Sequence, residues 1–374
     1  MNRSLPARVA PFLIVAGALG ACARQHDLGV STSSGAGGSG GEASTTVTGA
    51  TGLTSATGSS GPGAGSSTSA GTGSGGAEPV GPTRVTIVNG VNDYDAIRVC
   101  FLPYPAGDPG AKPWPAAASG LPFAHGAVLD LAVDIPAGTD VRPTIFAGDL
   151  AQIAGKTCAE AAALALAEAG DAGAPTPVVA AALAVLPAPV FTSGKSLLLA
   201  PIGCMGGPGH EGPSAGLACG FSYSPSTPTV DLIALGMSRK TEPNHVALQI
   251  VNAAVALQPT DIGITSSIQQ SMSIPLATML PTGGIEPKPP FTKLTLNEYG
   301  PLDTVSLKTY LPGQGEMFVT SDTPMGEAFL NGTVSSLQIQ NGGGYVLVAV
   351  GSYPNIPAGA FWHKLTYSIV KANP

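Results

Sequence analysis

The chain has 374 residues, of which 10% are charged, against about 25% in ordinary soluble domains. Its 51 glycines and 35 prolines, together with only 5% aromatic residues, indicate a chain rich in turns and small side chains, as in secreted all-β proteins rather than cytosolic enzymes. The formal net charge is −7 and no basic cluster occurs, which argues against a nucleic-acid partner.

The first 21 residues have the pattern of a secretion signal. Two arginines precede an apolar run over residues 9–19, which is too short to span a bilayer, since that takes about 20 apolar residues. The run ends in Leu-Gly-Ala-Cys at positions 19–22, which resembles the box that lipoprotein signal peptidase recognises. In lipoproteins with this box the cysteine is acylated and becomes the first mature residue. We therefore expect Cys22 to carry palmitate-type chains that anchor the protein in a membrane. A plain signal peptide followed by a chance cysteine is the alternative.

Residues 22–82 are predicted to form a disordered tether. Gly, Ser, Thr and Ala dominate this segment, and such a composition cannot bury enough apolar surface to fold. A flexible linker of this length reaches roughly 40 Å, enough to hold a folded domain away from a membrane. Ala23 stands where an aspartate often retains lipoproteins at an inner membrane, so we expect an outer-membrane anchor that faces the periplasm or the cell surface.

The folded part is predicted to be duplicated. Three motifs recur in the same order, at residues 85–89 and 248–252, 136–148 and 300–313, and 193–203 and 341–351. Motifs repeated in one order indicate an internal repeat. We therefore predict a first unit over residues 83–240 and a second over 244–374, joined by Thr-Glu-Pro, because proline and polar residues mark domain boundaries.

Apolar and polar side chains alternate in both units, for example over residues 129–135, 305–308 and 365–369. This period of two is typical of antiparallel strands with one face in a core. The predicted fold class is therefore all-β, with two tandem immunoglobulin-like antiparallel β-sandwiches of about seven strands each, after a disordered N-terminal stalk. The alanine-rich segment 158–169 predicts a short helix inserted in the first unit, ended by Gly170 and absent from the second unit.

These motifs resemble the bacterial surface family catalogued as domain of unknown function 4397. The family's opening Val-Asn strand matches residues 87–89, its Pro-Ala-Gly-Thr turn matches 136–139, and its closing Gly-Lys strand matches 194–199. The second unit departs from the pattern, with Gly-Pro-Leu-Asp at 300–303 in place of the turn. The resemblance covers most of residues 83–374 and implies a surface protein, and the family has no defined catalytic residues to carry over.

Four cysteines remain after Cys22, and all lie in the first unit. An even number in an exported protein predicts two disulfides, with three possible pairings. We favour Cys204–Cys219, which brackets a loop rich in glycine and proline, and then Cys100–Cys158, which would pin the predicted helix to the second strand. Each would contribute about 3–4 kcal/mol in the chain-entropy view. A four-cysteine metal site is the alternative, but no Cys-x-x-Cys pair occurs.

One motif points to catalysis. Residues 212–216 match Gly-x-Ser-x-Gly, which in serine hydrolases turns from a strand into a helix and exposes the serine to a histidine. Asp231 and His245 follow Ser214 in the chain. We predict neither a strand before Ser214 nor a helix after it, so a chance match in a glycine-rich chain is the favoured interpretation.

Five histidines occur, namely His26, His125, His210, His245 and His363. None lies three or four residues from another, so no helical pair of metal ligands is predicted. His210 with the adjacent Glu211 is the most notable pair, although a solvated loop explains both. Gly-Lys-Ser at 194–196 resembles the end of a phosphate-binding loop, but Pro189 stands where a glycine is needed, and a strand start explains these residues.

Two groups of carboxylates are further candidates. Asp130 and Asp134 share a face of the predicted strand 129–135, where acid–base work is possible but a solvated face is the simpler interpretation. Asn92-Asp93-Tyr94-Asp95 predicts an acidic turn, with too few oxygen ligands for a calcium site.

The sequence therefore predicts a non-enzymatic, lipid-anchored envelope protein that displays two β-sandwiches for a binding or structural role. The expected partners are the membrane, through the lipid on Cys22, and an envelope protein or a glycan. No cofactor or metal is expected. A secreted serine hydrolase that uses Ser214 is the alternative.

Overall fold

A computed structural model describes residues 79–168, 177–255, 259–265, 273–294, 302, 305–311, 313, 319–352 and 361–373. The predicted signal, Cys22, His26, the tether up to residue 78 and Gly170 lie outside the described residues. The described residues belong to one compact unit. None of their helices is long and apolar enough to cross a membrane.

The described residues form seventeen strands and three α-helices. The strands of the first half are β1 Arg84–Val88, β2 Gly90–Val91, β3 Ala96–Tyr104, β4 Leu121–Pro122, β5 Gly126–Leu129, β6 Asp140–Ala147, β7 Val179–Ala182, β8 Ser196–Gly203 and β9 Asp231–Met237. Those of the second half are β10 Val246–Asn252, β11 Thr260–Thr265, β12 Ser273–Leu280, β13 Ile285–Leu294, β14 Ser306–Tyr310, β15 Val319–Pro324, β16 Gly344–Val350 and β17 Thr366–Lys371. The helices are α1 Cys158–Glu168, α2 Ala215–Cys219 and α3 Met325–Asn331, with 3-10 turns at Leu150–Ile153, Ala188–Thr192 and Ser336–Gln338.

The two halves have the same strand order. In the first half one sheet runs β4-β3-β6-β7 and the other β5-β1-β8-β9, with β2 beside β8. The second half repeats this as β12-β11-β14-β15 and β13-β10-β16-β17. The predicted all-β sandwich class is confirmed. Pairing is antiparallel except where β8 returns alongside β1 and β2, and β16 alongside β10, in parallel. The unit boundaries at 83–240 and 244–374 stay a prediction.

Three apolar cores lie between four layers of sheet. One core fills each sandwich, with Leu199 in the first and Leu347 in the second. The third joins the inner sheets of the two halves face to face, through residues such as Leu198 on β8 and Val348 on β16. Alternate residues of β8 and β16 therefore enter different cores, so both strands are almost wholly buried and read as continuous apolar runs.

A buried asparagine explains the repeated Val-Asn motif. The side-chain amide of Asn89 donates to the carbonyl of Leu121 (3.0 Å), and its oxygen accepts from the N–H of Val91 (3.0 Å). Asn252 repeats both bonds, with the carbonyl of Leu280 and the N–H of Ala254, each at 3.1 Å. In both halves the amide therefore satisfies buried backbone groups where the central strand ends.

The predicted helix is confirmed as α1. It starts with a capping box, since the N–H of Glu160 donates to the Thr157 hydroxyl (3.3 Å) and the Glu160 carboxylate accepts from the Thr157 N–H (2.7 Å). The bond from the Thr157 N–H, together with one from the Thr157 hydroxyl (3.0 Å), lowers the pKa of the Glu160 carboxyl. The helix α3 of the second half was not predicted, and it follows β15, whereas α1 follows β6.

The predicted strand over residues 129–135 is wrong. β5 ends at Leu129, and the chain then turns. The Asp130 carboxylate accepts from the N–H of Ala132 (3.0 Å), and the Asp134 carboxylate accepts from the N–H of Asp130 (2.8 Å). Both carboxylates thus hold a turn rather than share a strand face, because short acidic side chains compete for backbone donors.

Candidate functional site

A groove of about 740 Å³ lies where the two halves meet. The first half supplies the turn after β2, residues 118–119, the segment 148–151 and His210, while the second half supplies residues 361–363. His210 and residues 361–363 come from equivalent places, because each lies between the last two strands of its inner sheet. The volume is within the range of about 300–1,000 Å³ that is usual for ligand sites.

The carboxylate of Asp93 organises this site. Its side chain is fully buried and accepts hydrogen bonds from the N–H of Met205 (2.9 Å), the N–H of Gly206 (2.8 Å) and Nδ1 of His210 (2.9 Å). Since a carboxylate only accepts, Nδ1 of His210 is the donor. Three donors stabilise the buried charge of the Asp93 carboxylate. Because Nδ1 of His210 is used in this contact, Nε2 is the ring nitrogen that is left available to another group.

The ring of His210 lies between two aromatic side chains. Tyr94 packs on it with ring centroids 4.6 Å apart, and Phe361 stacks on it at 4.7 Å with an interplanar angle of 3°. Trp362 meets Phe361 edge to face at 4.7 Å. Because Phe361 and Trp362 belong to the second half, these contacts hold the two halves together at the groove.

The disulfide Cys204–Cys219 closes the loop that carries His210, as predicted. Both cysteines are buried in a small cluster that includes Phe361 and Trp362. The hydroxyl of Tyr223 donates to the carbonyl of His210 (3.1 Å), and burial raises the pKa of this tyrosine, which keeps it a neutral donor. The second predicted disulfide, Cys100–Cys158, is also present and joins β3 to the start of α1.

His363 forms the far wall of the groove. Its ring stacks on Phe123 with centroids 4.0 Å apart, and Nε2 lies 3.4 Å from the carboxylate of Asp95. Burial lowers the pKa of His363 from its ordinary value of 6.5, and the Asp95 carboxylate offsets only part of this effect. His363 is therefore neutral around pH 7, while the side chain of Asp95 is fully exposed.

The structure brings together two groups that the sequence had singled out separately. His210 pairs with Asp93 of the acidic turn, not with the neighbouring Glu211, which is exposed. The Asp93 carboxylate already accepts hydrogen bonds from three donors, so its oxygens are poorly placed to bind calcium. Among the described residues, no group of three or more His, Cys, Asp or Glu side chains is arranged to hold a metal ion. Aromatic residues 361–362 were missed, because nothing in their sequence indicates a contact with the first half.

The remaining candidates lie apart from the groove. His245 contacts Glu242 at 3.4 Å, Nδ1 of His125 contacts the carbonyl of Phe123 at 3.0 Å, and Asp231 begins β9. Ser196, in the sequence that resembles a phosphate-binding loop, begins β8, and its hydroxyl donates to the carbonyl of Ala372. This strand start is what the sequence indicated.

Ser214 is placed differently from the prediction. A short helix, α2, does follow it, so the expected absence of a helix is wrong. Residues 204–214 contain no strand, as expected, and the serine precedes a helix of only five residues. In the described parts of the chain, the Ser214 hydroxyl makes no hydrogen bond with a histidine, although His210 lies in the same loop between β8 and β9.

Comparisons with known proteins give no assignment. No family model matches the chain, and no curated protein matches it either. Among solved structures, the chain is similar to one from Bacteroides eggerthii described as "a putative cell adhesion protein", at 10% identity and a TM-score of 0.17, covering 80% of this chain and 100% of that one. A similarity at this level carries no functional argument, and the resemblance to the domain of unknown function 4397 stays a prediction.

Proposed function

We propose that the chain is a lipid-anchored protein of the cell envelope that binds a partner in the groove between its two halves and has no catalytic role. The groove is the observation that supports this proposal. Its walls come from both halves and are fixed by the buried Asp93–His210 contact, the Phe361 stack and a disulfide. Such a preorganised concave surface is typical of binding sites.

The binding role is tested with a variant whose groove is filled. Ala151 is exposed and lines the groove, so Ala151→Trp is expected to block it without disturbing a core. Ala137 is exposed in a turn that does not line the groove, and Ala137→Trp is the matched control. Glycan arrays and capture from envelope extract are expected to give ligands that Ala151→Trp loses and Ala137→Trp keeps. Ligands retained equally by both variants would place binding elsewhere.

Anchoring is tested separately by metabolic labelling with a palmitate analogue. We expect label on the wild-type chain, no label on Cys22→Ala, and full label on the double variant Cys204→Ser, Cys219→Ser. Label that survives in Cys22→Ala would refute lipidation at that residue.

A secreted serine hydrolase using Ser214 is the second candidate, because α2 follows the serine and the Asp93–His210 pair is reminiscent of a general base with its orienting acid. A fluorophosphonate probe decides between the two. We expect no labelling of the folded chain, and labelling that disappears in Ser214→Ala would favour the hydrolase.

A further inference from the structure

The charges that line the groove are all of one sign. Asp93, Asp95 and Asp149 line it, and no lysine or arginine does. Three hydrogen-bond donors already stabilise the charge of Asp93. The carboxylates of Asp95 and Asp149 therefore set the electrostatic potential that acts on a ligand in the groove. Asp149 accepts from the N–H of Ala151 (3.2 Å) and from Gln152 (3.2 Å), both uncharged groups that leave its charge in place.

Among the described residues, no lysine or arginine forms an ion pair with these carboxylates. Arg98 lies near this wall, but it is 2% exposed, and its guanidinium donates to the carbonyls of Pro113 (2.9 Å), Pro115 (3.0 Å) and Ile153 (3.2 Å). His363, whose Nε2 lies 3.4 Å from the Asp95 carboxylate, is kept neutral around pH 7, because burial lowers its pKa. The described residues of the groove therefore present negative charge that no lysine or arginine among them neutralises.

The other lining side chains suit the same kind of ligand. Tyr94, Phe361 and Trp362 give the groove aromatic walls next to the carboxylates. Aromatic rings attract cations through their quadrupole, and they also pack against the methylene groups of long basic side chains. A neutral sugar would use the aromatic walls but would gain nothing from the uncompensated charge.

We propose that the groove takes a lysine or arginine side chain from a protein partner. This inference rests on the proposed function, since it assigns a ligand class to the same groove. We favour a basic protein segment over a glycan, because the negative charge of the groove is complementary to a cation. The volume of the groove also accommodates one long side chain with its flanking residues.

The test uses the full chain purified in detergent and two small probes. Nα-acetyl-argininamide carries the guanidinium, and Nα-acetyl-citrullinamide is its neutral counterpart of nearly the same shape. In isothermal titration at low salt, we expect the arginine probe to bind at least about fivefold more tightly than the citrulline probe. Equal affinity, or no binding of the arginine probe, would overturn the inference.

Two charge variants locate the effect. Asp95→Asn is expected to weaken binding of the arginine probe about fivefold. Asp231→Asn removes the same charge from an exposed position outside the groove and is expected to change affinity by less than about twofold, because salt screens distant charges. Equal effects of the two variants would contradict the proposal.

The outcomes separate this inference from the proposed function. If a partner is lost in Ala151→Trp but the arginine probe does not bind, the groove is a binding site for something other than a cation. If that partner is a neutral glycan, the inference that the groove takes a basic side chain is also refuted. If the arginine probe binds in the groove while the glycan array and the capture give no ligand, the ligand class stands and the partner search has failed.

Discussion

Two aspartates in one turn have opposite environments. Asp93 is fully buried with three donors, whereas the side chain of Asp95, two residues later, is fully exposed. Their sequence context is nearly the same, so the acidic turn was predictable but its division of roles was not. His210 was likewise noted with the adjacent Glu211, although its partner Asp93 lies 117 residues away. Pairs this distant leave no spacing signal in a single sequence.

Replacing Asp93 is expected to destabilise the fold strongly. Asp93→Ala leaves two buried N–H groups and Nδ1 of His210 without an acceptor, so the free energy of unfolding is expected to fall by about 3 kcal/mol. Asp95→Asn is the matched control and is expected to stay within about 0.5 kcal/mol. Urea unfolding measures both. Similar losses for the two variants would contradict the buried hydrogen-bond network.

Stability is expected to fall in mild acid because of His363. Its folded pKa is lowered by burial, so the unfolded chain takes up the proton first as the pH drops. The contribution is complete above about pH 6.5 and is lost as the pH falls from there toward the lower folded pKa. His363→Gln is expected to flatten the pH dependence of the unfolding midpoint in this window, as measured by urea unfolding at a series of pH values. An unchanged slope in His363→Gln would refute this assignment.

At the scale of elements, the repeated motifs have a shared structural cause. Asn89 and Asn252 make equivalent pairs of hydrogen bonds. Gly203 is the last residue of β8 and Gly351 directly follows the equivalent strand β16, and their positive φ angles are similar, +94° and +98°. Motifs that fix backbone groups could be predicted because they recur. The turn after Leu129 could not, since its aspartates continue the alternation of a strand while holding backbone donors instead.

Alanine at either strand-end glycine is expected to be costly. A Cβ at Gly203 would collide with the carbonyl of Thr229, and one at Gly351 with the carbonyl of Lys364, in addition to the strain of a positive φ. Each variant is expected to lose about 2–3 kcal/mol of unfolding free energy. Gly138→Ala, with a φ of +70° and open space around it, is expected to lose only about 1 kcal/mol. An equal loss of stability in Gly138→Ala and in the other two variants, measured by thermal unfolding, would contradict the predicted steric collision.

At the scale of the whole molecule, the sequence predicted two sandwiches but not that they share a core. The runs at β8 and β16 are continuously apolar, and such runs do not reveal how many faces are buried or against what. The structure packs the two inner sheets face to face, which also brings residues 361–363 to the first half and creates the groove. The groove could therefore not be predicted from the sequence, because it depends on this packing.

A charge in the shared core is expected to unfold both halves together. Val348 is fully buried between the inner sheets, so Val348→Asp is expected to cost at least about 4 kcal/mol. Hydrogen exchange is expected to show loss of protection in the outer sheets of both halves. Val133→Asp, at a residue that is 78% exposed, is the control and should leave exchange unchanged. Loss confined to β10–β17 would contradict a shared core.

The central claim is that the groove between the halves is where a partner binds, and crosslinking in living cells tests it most directly. A photo-crosslinking amino acid replaces Ser119, which is exposed and lines the groove, or Val133, which is exposed and does not line it. We expect a defined adduct from position 119 and none from position 133, and loss of the position 119 adduct when Ala151→Trp fills the groove. An adduct that forms equally from both positions, or that survives the filled groove, would contradict the claim.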